Sequence, residues 1–224
     1  METVLKAWPR TVQVKHRGVF VPPRYELFKT DIGASLAANL AAAYDLRSTA
    51  LIVNQNTAST QYLSFRYFLT GEPFRFFDAA IGIDQSELTF SNPASVGELR
   101  NEVARFWSII NKSLPGGISS SYFEANLQCD TGGVSTAKFL NDSVNVTKDG
   151  DLQKGFSLTI RSPDAVARIA LEVSEPVQDG LYVVFAFVKK NPVGDMAALE
   201  SSFNDILTAY RHLQSLAHIE LVEP

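Results

Sequence analysis

The residues best placed to do chemistry lie between Asp130 and Lys138. Asp130-Thr131-Gly132 follows the apolar Leu127, and such a triplet supports acid-base hydrolysis when two copies bring two carboxylates within about 3 Å to share a proton. Only one copy is present; the nearest parallel string, Asp31-Ile32-Gly33, lacks the threonine. Gly132-Gly133 also suits a tight turn ahead of a helix. Ser135-Thr136-Ala137-Lys138 would set a lysine one turn from a serine nucleophile. That chemistry further requires a Lys-Thr-Gly strand and a Ser-x-Asn loop. The chain offers Lys29-Thr30-Asp31 and a Ser202-Phe203-Asn204 that falls inside an expected helix. Ser135, like Ser35 in Gly33-Ala34-Ser35, is therefore expected to be a helix N-cap.

No metal set or phosphate cradle is legible. His16, His212 and His218 form no HxH or HExxH spacing, and His212 and His218 fall on different sides of a continuous helix. His16, between Lys15 and Arg17, reads as a solvated residue, and His212 as a helix-terminal residue favoured by the dipole. Asp149-Gly150-Asp151 lacks the further oxygen ligands of a calcium loop and reads as a loop tip. Neither GxxxxGK[ST] nor GxGxxG occurs, so no metal and no cofactor is expected. Cys129 is the single cysteine, which excludes an internal disulfide and fits a reducing, cytoplasmic setting.

Aromatic and arginine side chains cluster from Tyr62 to Phe77. Alternation along the first strand separates a core face of Leu63, Phe65, Tyr67 and Leu69 from an outer face of Tyr62, Ser64, Arg66 and Phe68. Arginine beside aromatic rings suits a protein hot spot or single-stranded nucleic acid. The protein-binding candidates are accordingly Tyr62, Arg66, Phe68 and Arg75. The comparable outer face of the second half, Arg168, Ala170 and Glu172, is neither basic nor aromatic, which argues against a symmetric nucleic-acid surface. Lys154-Gly155-Phe156-Ser157-Leu158 starts like an RNA-recognition strand, but Leu158 and Ile160 stand where stacking needs rings. A nucleic-acid alternative would use Lys6, Arg10, Lys15 and Arg17 in the first 30 residues, which hold six basic and two acidic residues.

These groups are positioned by elements that recur along the chain. Val96, Leu99, Val103, Phe106, Ile110 and Leu114 make one amphipathic helix behind Asn92-Pro93. Met196, Leu199, Phe203, Ile206, Tyr210 and Leu213 make another behind Asn191-Pro192. Each follows strand-like stretches, YLSFRYFL running into Glu72-Pro73 and ARIALEV into Glu175-Pro176. The expected fold is α+β with two pseudo-repeats, each strand, short helix, antiparallel sheet and long helix. The boundaries are a basic N-terminal arm 1–19, a first repeat 20–114, a second repeat 119–214 and a C-terminal tail 215–224. The runner-up is one helix-grip sheet around the last helix.

The segment Ser86–Leu140, with ELTF, VGELRNEVARFWSII, SSSYFEANLQCD and STAKFL, resembles the middle of a sporadically distributed family of uncharacterised bacterial proteins. The helix MAALESSFNDILTAYRHL is similar too. That resemblance implies no activity. The doubled element order is similar in topology to the TATA-binding-protein fold, an analogy of fold alone.

Composition narrows the function classes. With 20 basic and 24 acidic residues the net charge is −4, unlike a generally basic nucleic-acid binder. The longest apolar run, Leu181–Val188, is too short to cross a membrane as a helix. The expectation is a non-catalytic protein-interaction module with a protein partner and no membrane. Nucleic-acid binding and an acid-base hydrolase built on Asp130 and Ser135 are the alternatives, and a homodimer through a long helix stays open.

Overall fold

Period-two burial over long strands and period-3.6 burial over two long helices organise the computed structural model of the chain. The structure describes residues 4–47, 50–54, 61–69, 74–114, 118–143, 155–190 and 196–222, with the side chains of the last helix from Ser202 onward. Glu72-Pro73, Asp149-Gly150-Asp151, Lys154, Asn191-Pro192 and the side chains of Met196 and Leu199 lie outside the described residues. The strands are β1 Leu5–Phe20, β2 Leu51–Val53, β3 Gln61–Phe68, β4 Phe76–Gly82, β5 Gln85–Ser91, β6 Ile118–Asp130, β7 Gly155–Arg161, β8 Ala165–Val173, β9 Leu181–Lys189 and β10 Ile219–Leu221. The helices are α1 Thr30–Tyr44, α2 Val96–Ser113, α3 Thr136–Ser143 and α4 Met196–Leu216. The class is α+β with a large antiparallel sheet. Two compact units divide the chain: a larger one of Val14–Phe123 and Lys189–Phe203, and a smaller one of Met1–Gln13, Glu124–Val188 and Asn204–Pro224.

In the larger unit the strand order is β2-β3-β4-β5-β1-β6. The inward residues of β3, β4 and β5 (Leu63, Phe65, Phe77, Ala79, Ile81, Leu88, Phe90) are buried with Leu36, Leu40 and Tyr44 of α1 and Leu99, Val103, Phe106, Trp107 and Ile110 of α2. Tyr44 meets Phe65, Tyr67 and Phe77 at ring separations of 5.0 to 5.5 Å, so one aromatic cluster ties α1 to the sheet. Ser95 caps α2 by accepting from Glu98 N at 3.1 Å, and Glu98 accepts from Ala94 N at 2.7 Å. Helix α1 starts at Thr30 with Lys29 at its N-cap, so Ser35 lies inside the helix and is not the cap its sequence suggested. A 3-10 turn, Tyr25–Phe28, feeds the helix directly and buries Leu27, so packing rather than a serine fixes where it begins.

His16 is not the solvated residue that its neighbours Lys15 and Arg17 suggested. Residues 5–20 form β1, and His16 is 2% exposed. Its burial follows from the alternation Val14, His16, Gly18, Phe20, all of which face the core. Gly18 is required here, because a Cβ would sit 2.5 Å from the Trp107 ring.

In the smaller unit the order is β1-β6-β9-β8-β7, with β10 parallel to β1 through Leu5–Ile219 and Ala7–Leu221. Ile169, Leu171, Leu181, Val183, Phe185 and Phe187 are buried, and Phe185 meets Tyr210 of α4 at 5.1 Å. Among the described residues no helix is long and apolar enough to cross a membrane.

Candidate interaction surfaces

Asp130, Thr131 and Ser135 build a turn. The Asp130 carboxylate accepts from Arg10 at 2.6 Å and from Gly132 N at 2.8 Å, and these bonds hold it below the usual carboxylate range. Thr131 is buried, and its one hydroxyl proton is shared between Val134 O at 2.7 Å and Asp179 O at 3.0 Å. Gly132 and Gly133 take φ of +62° and +84°, the left-handed conformation a turn of this kind asks of glycine. Ser135 accepts from Lys138 N at 3.3 Å, the N-cap bond its sequence predicts. Burial pushes the Cys129 thiol up to about 12, which leaves it a core side chain rather than a nucleophile.

The four protein-binding candidates separate. Register shifts between Gln61 and Leu63, and this irregularity turns Tyr62 as well as Leu63 inward. Tyr62 is 7% exposed, its ring 5.9 Å from Phe28, and its hydroxyl fills the space a side chain at Gly33 would need. Arg75 binds both oxygens of Glu98 at 2.7 and 2.8 Å and reaches Asn92 O at 3.1 Å, so it holds the start of α2. Arg66 and Phe68 do reach solvent. Their cross-strand partners are Asp78 and Phe76. Arg66 donates to both Asp78 oxygens at 2.7 and 2.9 Å and stacks over Phe76 at 4.1 Å, with Phe68 and Phe76 6.1 Å apart. Phe68 is 48% exposed and Phe74, just before β4, 78%. Phe74 and Phe76 were legible in the sequence cluster but were not singled out there.

The four basic residues of the nucleic-acid alternative all have carboxylate partners: Lys6 with Glu220, Arg10 with Asp130, and Lys15 and Arg17 with Glu87. Phe156 pairs across with the buried Leu171, on the opposite face of β7 from Ser157, so it offers no ring beside that serine.

A second surface was passed over in the sequence. On the smaller unit an open groove of about 740 Å³ is lined by Gln128, Gly155, Ser157, Arg168, Ala170, Glu172 and Tyr182, among others. Tyr182 donates to Asn126 Oδ1 at 3.0 Å. Burial first, then the charges of Glu124 and Glu172, raise its phenol above the ordinary value. Alternation alone shows Arg168, Ala170 and Glu172 on one face of β8. The other walls come from β6, β7 and β9, whose pairing no local pattern reveals.

No group of His, Cys, Asp and Glu able to hold a metal ion occurs among the described residues. Comparison with known proteins gave no match to a family model, a curated protein or a solved structure, so the functional reading rests on the residues themselves.

Proposed function

We propose that the chain is a non-catalytic protein-interaction module that docks a protein partner around Phe68, Phe74 and Phe76 of the larger unit. The observation that carries this reading is the exposed aromatic cluster with Arg66 stacked on Phe76 and anchored to Asp78. Arginine is among the residues that dominate binding energy at protein interfaces, and phenylalanine is enriched there over the rest of the surface. The Asp78 bond restricts Arg66 before a partner arrives, which lowers the ordering cost of binding. Native mass spectrometry of the chain isolated from its own source is expected to show a protein companion at fixed stoichiometry. The double variant Phe68→Ala/Phe74→Ala, with its circular dichroism unchanged, should lose that companion. A bare chain, or a companion retained by the variant, sinks the reading.

The same proposal takes the chain as two related halves. Support comes from the order β1, α1, β2–β5, α2 against β6, α3, β7–β9, α4, with the first half taken from Leu5 instead of residue 20 so that it includes β1. Strand order adds to it, with β5 beside β1 as β9 is beside β6.

A further inference from the structure

The groove of the smaller unit carries a charge pattern that the described part of the chain leaves unused. Arg168 and Glu172 stand on one face of β8, four residues apart, a separation of about 13 Å in an extended strand. Both are exposed, and neither forms an ion pair with a described residue. Between them the floor is low. Ala170 pairs across with Ser157, and Glu172 with Gly155. A Cβ at Gly155 would collide with Leu171 O and lie 2.7 Å from Glu172 Cγ, so the close approach of β8 requires glycine at that end. One wall brings hydrogen-bonding groups: Ser174 donates to Gln128 Oε1 at 2.5 Å, the Gln128 amide N–H groups have no acceptor among the described residues, and the Tyr182 hydroxyl lies nearby in the lining.

We propose that this groove binds an extended segment of a protein partner carrying a basic and an acidic residue four positions apart, the basic side chain meeting Glu172 and the acidic one Arg168. An extended ligand repeats the strand's own rise, so its i and i+4 side chains point the same way at about the same 13 Å spacing. An open sheet face with opposite charges at its two ends suits a chain laid across it better than a compact small molecule, which is usually enclosed. The inference rests on the protein-interaction reading for the class of ligand, but on different residues.

The probe is the acetylated and amidated pentapeptide Lys-Thr-Val-Thr-Glu, titrated into the full chain with backbone amide NMR as the readout. Saturable shifts are expected at Gly155, Ser157, Ala170 and Tyr182. Arg168→Gln and Glu172→Gln should each weaken the affinity about fivefold, the upper range for an exposed charge pair. Ser157→Trp, which fills the groove from an exposed strand position, should abolish binding with circular dichroism unchanged. A peptide with serine in place of both charged residues should lose the charge-dependent part. Absence of saturable shifts, affinity unchanged from the parent chain in both charge variants, or shifts centred on Phe68 and Phe76 would each overturn the inference. The Phe68→Ala/Phe74→Ala variant leaves these groove residues intact, so loss of the native companion and loss of peptide binding report on separate proposals.

Discussion

His16 accepts a hydrogen bond at Nδ1 from Trp107 Nε1 at 3.0 Å, lies stacked 6.2 Å from Phe203, and is buried. Burial lowers its pKa from 6.5 to about 4, because a charged imidazolium there would lose its hydration without gaining a partner. The unfolded chain therefore binds the proton more readily than the folded one. The His16 contribution is fully present above about pH 6.5, declines as pH falls toward 4 and changes no further below that. The shift corresponds to about 3 kcal/mol across the window. Urea unfolding at pH 7 and pH 4.5 is expected to show a smaller pH effect in His16→Gln than in the parent chain. Equal pH effects would mean that His16 does not titrate as its burial implies.

The start of α2 is the element where sequence and packing meet. Ser95 caps the first turn by accepting from Glu98 N, the Glu98 carboxylate reaches back to Ala94 N, and Arg75 from the segment before β4 clamps Glu98 with two bonds. Ser95→Ala is expected to cost about 1 kcal/mol in urea unfolding, the usual value of an N-cap. Glu98→Ala should cost more, about 2–3 kcal/mol, since it also strands a partly buried guanidinium. Arg75→Ala should lower stability while leaving a Phe68-dependent companion bound. Loss of the companion with stability unchanged would return Arg75 to the interaction surface. The apolar period of the helix behind Asn92-Pro93 was legible, but Ser95 was not singled out as its cap. The clamp was not, because Arg75 and Glu98 are 23 residues apart and meet only when β4 and β5 pair.

At the scale of the whole molecule, the parallel pair β10 and β1 brings the two ends of the described chain together: Leu5 N bonds His218 O, and Val222 N bonds Ala7 O, each at 2.9 Å. If the halves are equivalent, a circular permutant opened at Gly117, with its old termini joined by a short glycine-serine linker, keeps the same succession of elements. It is expected to unfold cooperatively with the circular dichroism of the parent. A permutant lacking a cooperative transition would count against the paired-halves reading. The amino-acid sequence by itself determined the local features, because these depend on neighbours within a few residues: the apolar stripe of α2, the alternation of β3 from Leu63 onward, the Gly132-Gly133 turn and the Ser135 cap. Only the tertiary structure decided that His16 is core, that Tyr62 turns inward at an irregularity of β3, that Arg75 serves a helix, and that Gln128, Gly155, Ala170 and Tyr182 line one groove. Each of these depends on which strand lies beside which, and cross-strand neighbours far apart in sequence leave no periodic mark in either strand.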